Sequence, residues 1–342
     1  MKIYKHESIN GLKNSWERIY NSNPRLSVYQ DYELMKIISK YSRYSPRRYN
    51  LKPIFYEVFD DSGNTILIAP FYIKKKSGET FVYLLGDFVA VSYLDMIYYP
   101  ELETAEFECA MRMISEDLGH PEFIFNKINR RSKMNSMIRE VFGNELSTNP
   151  KPCVEIKIPG NYEKYFEGLS SNKRNNIRKA HRRVENEGIS MRLDVYENEP
   201  IDRNVLGRMM DVYNKRAGER IENPFVSGPL GIAKKKLNPL TVALGSLNFA
   251  FGTVLYFDGK VVAMCAGLKR SGRIETFYLA IDSDYKYFTP GGLMLTETIK
   301  FLCERGEVEV FDLTRGDEPY KFQYGGTATI NDDFKFKLVN RG

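Results

Sequence analysis

FGTVLYFDGKVVAMCAGLKRSGRIETFYLAID, residues 251–282, reads as three β-strands joined by two tight turns, at Asp258-Gly259 and Ser271-Gly272. Asp-Gly and Ser-Gly between β-branched and aromatic runs are hairpin signals, because glycine accepts the positive φ that such turns demand. Residues 54–87, IFYEVFDDSGNTILIAPFYIKKKSGETFVYLLGD, repeat the plan, with turns at Asp61-Ser62-Gly63 and Lys76-Ser77-Gly78. Each triplet precedes an amphipathic helix, expected over 102–118 and 290–305, and then a further strand, FIFNKI at 123–128 and VEVFDLT at 308–314. In the second helix Leu295, Ile299 and Leu302 form an apolar stripe at spacings of four and seven. A β-β-β-α-β order therefore occurs twice, and a repeat found this way fixes the architecture. The chain is long enough for two cores. The expected fold is α/β (α+β), with two domains, 1–150 and 151–342, each a mixed and mainly antiparallel sheet flanked by helices.

The composition is that of an ordinary globular protein rich in tyrosine and phenylalanine. A net charge of +6 is too small to require a polyanionic partner. Cys109, Cys153, Cys265 and Cys303 lie far apart without a CxxC, and His6, His120 and His181 show no ligand spacing. Neither a metal site nor a disulfide framework is expected, and reduced thiols suit the cytoplasm. The opening residues carry charges throughout, with no apolar signal core. Residues 237–257 are uncharged, but Pro239, Asn238, Asn248, Gly245 and Gly252 among them read as a loop entering a strand and not as a membrane span.

The two copies differ where their helices begin. A helix N-terminus presents unpaired N–H groups and a partial positive charge, which suit a phosphate. The second copy reads YKYFTPGGLMLTETIKFL (285–302), with Thr289 as N-cap, Pro290 at the first helical position, and Gly291 and Gly292 bare. The first copy reads YYPELETAEFECAM (98–111), where Glu101, Glu103 and Glu106 would repel an anion. The strand ahead of the glycines, 273–282, offers edge groups to an extended amide ligand such as pantetheine.

FDLTRGDEPYKFQYGG (311–326), following strand, PGG and helix, resembles the GNAT acyltransferase subfamily associated with cellulose and exopolysaccharide biosynthesis, whose second domain ends in a similar D-x-x-R-G-D-x-x-Y-K signature. LLGDFVAVSYLDMIY (84–98) and LSSNKRNNIRKAHRRVENEG (169–188) resemble two further regions of that subfamily. The resemblance implies two tandem GNAT-like domains, as also found in Fem-type peptidyltransferases, with a non-catalytic first domain supporting the acceptor side. It implies an acyl-CoA donor, acetyl-CoA first among them, and an amine or hydroxyl acceptor on an amino sugar, sugar nucleotide or cell-envelope precursor. It would place the donor along Leu279, Ala280 and Ile281 and at Thr289, Gly291, Gly292 and Leu293. The chain departs from the single-domain GNAT motif, in which Arg or Gln precedes two spaced glycines.

Direct acyl transfer needs a neutral nucleophile, donors for the oxyanion and a proton for the leaving thiolate. Glu275 and Asp312 are the candidate bases, left open because strand parity is not fixed by the sequence. Tyr320 is the candidate leaving-group acid, and Lys321 a group that orients an anionic substrate. Arg315 and Asp317 join them as substrate contacts or, together with Asp312, as an ion-pair lattice.

Residues 170–183 hold six basic side chains and no acid. On a helix Ile177, Ala180 and Val184 face the core, while Arg174 and Arg178 stack with Arg182 on another face, a candidate dock for an anionic substrate. Nucleic acid is not expected from one stripe. The rival readings are a Fem-like peptidyltransferase using aminoacyl-tRNA and a degenerate pair that only binds polysaccharide or nucleic acid.

Overall fold

The computed structural model describes residues 1–42, 51–143, 147–220 and 238–338, and the chain divides into two compact units. Unit 1 comprises Met1–Pro152 together with Thr329–Gly342, and unit 2 comprises Cys153–Ala328. The last segment, assigned to the second half from sequence, thus belongs with the first.

Unit 1 contains β1 (Lys2–His6), α1 (Lys13–Ser22), α2 (Tyr32–Ser42), β2 (Lys52–Phe59), β3 (Thr65–Lys76), β4 (Glu79–Leu84), β5 (Ile97–Tyr98), α3 (Thr104–Asp117), β6 (Glu122–Asn129), α4 (Lys133–Phe142) and β7 (Ser147–Thr148). Unit 2 follows with β8 (Lys151–Lys157), α5 (Tyr162–Gly168), α6 (Ser171–Asn186), β9 (Met191–Glu197), α7 (Arg203–Arg220), α8 (Pro239–Leu244), β10 (Ala250–Phe257), β11 (Lys260–Arg270), β12 (Arg273–Ile281), α9 (Pro290–Arg305), β13 (Val310–Arg315) and α10 (Pro319–Gln323). The final strand, β14 (Thr327–Lys337), completes unit 1.

In unit 2, β9 to β12 form an antiparallel meander, α9 crosses over, and β13 returns parallel to β12 with β8 antiparallel on its far side. Unit 1 repeats this: β1 to β4 meander, α3 crosses over, β6 runs parallel to β4, and β14 pairs antiparallel with β6. Both halves therefore hold the same mixed, mainly antiparallel sheet. The turns form as their residues dictate, with positive φ at Ser77-Gly78, Asp258-Gly259 and Ser271-Gly272.

The last strand of unit 1 is locked in by charge and by rings. Asp332, fully buried, accepts bonds from Arg130 and Arg139 (2.7 Å each) and from Asn135. Phe336 stacks on Phe142 and Phe123 at 4.2 and 5.4 Å between ring centres. The core of unit 2 gathers Phe251, Phe257, Phe311, Leu295, Ile299 and Leu302 around the inner faces of α6 and α9, with Ile177, Ala180 and Val184 buried as the helical spacing requires.

Candidate active site

β12 and β13 pair over only three positions, Arg273–Glu275 against Val310–Asp312, and then part. Side chains replace the ladder at the point of divergence. Thr276 Oγ1 donates to the Asp312 carbonyl (3.0 Å), and Thr314 Oγ1 to the Thr276 carbonyl (2.7 Å). Thr314 sits at φ 52°, an unusual conformation for a β-branched residue that only a dense bond network holds. On the other edge of β12 a bulge at Phe277 breaks the register with β11. Gly267 opposes it: a Cβ there would lie 2.3 Å from the Glu275 carbonyl oxygen. The two strands thus open into a V whose arms are the second half of β12 and the end of β13.

Inside the V lies a cleft of about 590 Å³ lined by Thr276–Ile281, Leu313–Arg315, Thr289–Gly292 and residues of α6, α7 and α10. The predicted donor residues Leu279, Ala280, Ile281, Thr289, Gly291 and Gly292 all line it, whereas Leu293 is buried in the core. α9 begins at Pro290 as its sequence predicts, but Thr289 does not cap it through its side chain. Its backbone is left-handed (φ 51°, ψ 52°), and its carbonyl accepts from the Gly292 and Leu293 amides at 2.9 and 3.2 Å. Among the described residues the Gly291 amide has no acceptor. The glycines also serve packing, which the sequence did not reveal. A Cβ on Gly292 would meet the Tyr324 hydroxyl at 2.5 Å, and one on Gly291 the Ile281 side chain at 2.9 Å. The matching helix start in unit 1 is closed by its own acids: Glu103 and Glu106 form a reciprocal capping box at the head of α3.

The candidate bases lie off the cleft. Glu275 and Asp312 are 3% and 0% exposed, and neither lines the cleft. They lie side by side across β12 and β13, with Glu155 next along on β8, and all three carboxylates pair with Arg273. Asp312 Oδ1 also accepts from the Thr314 amide at 2.6 Å. This is a buried scaffold at the root of the V. Lys321 lines the cleft and pairs with Glu318 (3.1 Å), and its ammonium also donates to the carbonyls of Leu313, Thr314, Arg315 and Gly316 between 2.7 and 3.3 Å, tying the end of β13 to α10. Tyr320 and Arg315 line the cleft, and Asp317 is an exposed residue outside it. The lattice expected of Asp312, Arg315 and Asp317 is replaced by the Arg273 cluster.

The basic stripe also resolves into separate roles. Arg174 donates to the carbonyls of Glu167 and Leu169 at the end of α5 (2.6 and 2.7 Å), and Arg178 stacks over Phe166 at 5.2 Å. Neither lines the cleft. Lys173 does, with its ammonium 3.5 Å from the centre of the Tyr324 ring. Burial pulls its amine down to about 8 and pushes the Tyr324 phenol up to about 12. Arg216 and Lys286 add further positive charge, and Glu318 is the sole carboxylate among the described residues lining the cleft. The sequence placed Lys173 only within the basic segment and did not single out Arg216 or Glu318. The usable signal for Glu318 was its place between Asp317 and Tyr320, in the loop already singled out.

The site is thus a V-shaped opening onto a glycine-headed helix, with a cationic wall. Comparison with known families agrees: residues 171–322 match the acetyltransferase (GNAT) domain. The matched segment, within unit 2, is a GNAT domain and supports a transferase. A sequence comparison with curated proteins finds no match. Among solved structures, the chain is similar in fold to FemX (10% identity, 99% of this chain and 98% of that one, TM-score 0.65). It is also similar to L-PGS from Bacillus licheniformis (14%, 100% and 95%, 0.57). A third is a tandem GNAT protein from the clavulanic acid biosynthesis pathway, in a structure without AcCoA (9%, 100% and 100%, 0.54). Among the described residues no helix is long and apolar enough to cross a membrane, and no cluster of His, Cys, Asp or Glu could hold a metal ion.

Proposed function

We propose that unit 2 transfers an acyl group, acetyl first among candidates, from acyl-CoA directly to an amine or hydroxyl of an amino sugar, sugar nucleotide or cell-envelope precursor. The observation that carries this reading is the parting of β12 and β13 onto the head of α9. The free edge of β12 pairs with the pantetheine amides, while the Gly291 amide, Lys173 and Lys286 receive the diphosphate. With Glu275 and Asp312 withdrawn into the Arg273 cluster, Glu318 takes the proton from the attacking nucleophile. A bond from that nitrogen or oxygen to the thioester carbon forms as the carbon–sulfur bond breaks, and Tyr320 protonates the departing thiolate. The positive wall made by Arg216 and Arg315 favours an anionic acceptor.

The test is release of free thiol from acetyl-CoA over a panel of amino sugars and sugar nucleotides. Glu318→Gln should lower kcat by about 10²–10⁴-fold while CoA binding, measured by calorimetry, stays unchanged; full activity in that variant removes Glu318 as the base. A second reading, a peptidyltransferase using aminoacyl-tRNA, is favoured by the higher TM-score with FemX and by the basic α6. Tight, steeply salt-dependent binding of charged tRNA without CoA binding would select it.

A further inference from the structure

The 3-10 turn Ser283–Phe288 leads directly into the head of α9 and carries Tyr287, a large aromatic that is 59% exposed. Single exposed aromatics are ordinary; this one is braced from several sides. Arg183 on α6 donates to the Tyr287 carbonyl (2.9 Å), and its guanidinium lies 5.0 Å from the ring centre. Phe288 meets the Tyr287 ring edge-on at 5.0 Å and itself packs edge-on against Phe257 at 5.7 Å. At the other end of the turn Lys215 of α7 pairs with both Asp282 and Asp284. A rigid turn thus presents an aromatic ring to solvent three residues before the first helical position, beside the cationic wall formed by Lys286.

We propose that Tyr287, backed by Arg183, is a stacking platform for the adenine of a nucleotide-ended donor, and that it selects such donors over phosphopantetheine carried on a protein. A purine stacks on an aromatic face without sequence-specific bonds, and a ring already fixed in place loses little freedom on binding. A donor whose phosphates sit at the Gly291 amide brings its nucleoside to this side of the helix head. Carrier-bound phosphopantetheine has a phosphate but no base to stack. Adenosine terminates both CoA and the acceptor end of tRNA, so the platform rests on the proposed function only for the presence of an adenosine-ended donor.

The test is calorimetry on the full chain with CoA, 4′-phosphopantetheine and a short RNA hairpin ending in CCA, using wild type, Tyr287→Ala and Tyr287→Phe. The alanine variant should bind CoA about tenfold more weakly, bind 4′-phosphopantetheine as wild type does, and melt at an unchanged temperature; the phenylalanine variant should behave as wild type. Equal losses for CoA and 4′-phosphopantetheine, or no loss for CoA, would overturn the platform. If wild type binds the CCA hairpin and not CoA, and the alanine variant weakens that binding, the platform stands and the acyl-CoA reading fails. If wild type binds 4′-phosphopantetheine as tightly as CoA, the platform fails and the thioester reading stands. Binding of none of the three removes both.

Discussion

At the scale of residues, the cleft is governed by where charges are and are not neutralised. Lys321 and Arg273 sit among carbonyls and carboxylates and hold backbone in place. Lys173 instead rests against an aromatic face in a half-buried site, which lowers its affinity for a proton. Its folded value, about 8, lies below the unfolded one near 10.5. The charged amine therefore costs stability below pH 8, and that cost fades as pH rises toward the unfolded value. An anionic ligand has the opposite preference, since it needs the ammonium. CoA affinity should accordingly fall severalfold between pH 7 and 9, and in Lys173→Met it should be weaker and flat across that range. A wild-type profile without this step, followed by calorimetry, would show that the amine does not meet the ligand.

At the scale of elements, the head of α9 joins two requirements in one pair of glycines. Gly292 lets the Tyr324 hydroxyl approach, and Tyr324 in turn carries Lys173. Gly292→Ala should destabilise unit 2 by about 1–3 kcal/mol through overpacking. Tyr324→Phe should restore most of the loss in the double variant, because the next ring atom lies 3.8 Å away. Urea unfolding of the four-member cycle measures the coupling, and strictly additive losses would refute the contact. Local chemistry made much of this readable in advance: the turns at Asp258-Gly259 and Ser271-Gly272 and the bounds of α9 follow from short-range rules. Which carboxylate faces the cleft was not readable. Whether Asp312 points into the V depends on strand parity, on the bulge at Phe277 and on the strained Thr314, none of which leaves a periodic trace. The backbone contacts of Lys321 were hidden for a related reason: nothing in the sequence of a polar loop records that its lysine will meet four carbonyls.

For the whole molecule, the repeat was legible because each copy has its own hairpins, while the partner of the final strand was not. Pairing of β14 with β6 links residues 202 apart, as in Arg130 with Asp332, and no local pattern records it. Burial alone would raise the Asp332 carboxyl, but bonds from Arg130, Arg139 and Asn135 hold it down to about 2. A depressed folded value contributes stability above the unfolded one, near 4, and that stability is lost as pH falls toward 2. Asp332→Asn should cost unit 1 about 2 kcal/mol at neutral pH, allowing for the exposed arginines. It should also flatten the acid side of its stability curve, followed by tyrosine fluorescence between pH 5 and 2. An unchanged acid limb would show that the carboxylate does not anchor β14.

The return of β14 also governs the order in which the protein can be made. On a ribosome adding 5–20 residues each second, Arg130 waits roughly 10–40 s for its aspartate. For that interval the phenylalanines of β6 lack the strand that covers them, and nascent unit 1 has an open, sticky margin. Unit 2 has its whole sheet to hand once β13 emerges, so the half that carries the cleft is completed first and the half that begins the chain is sealed last.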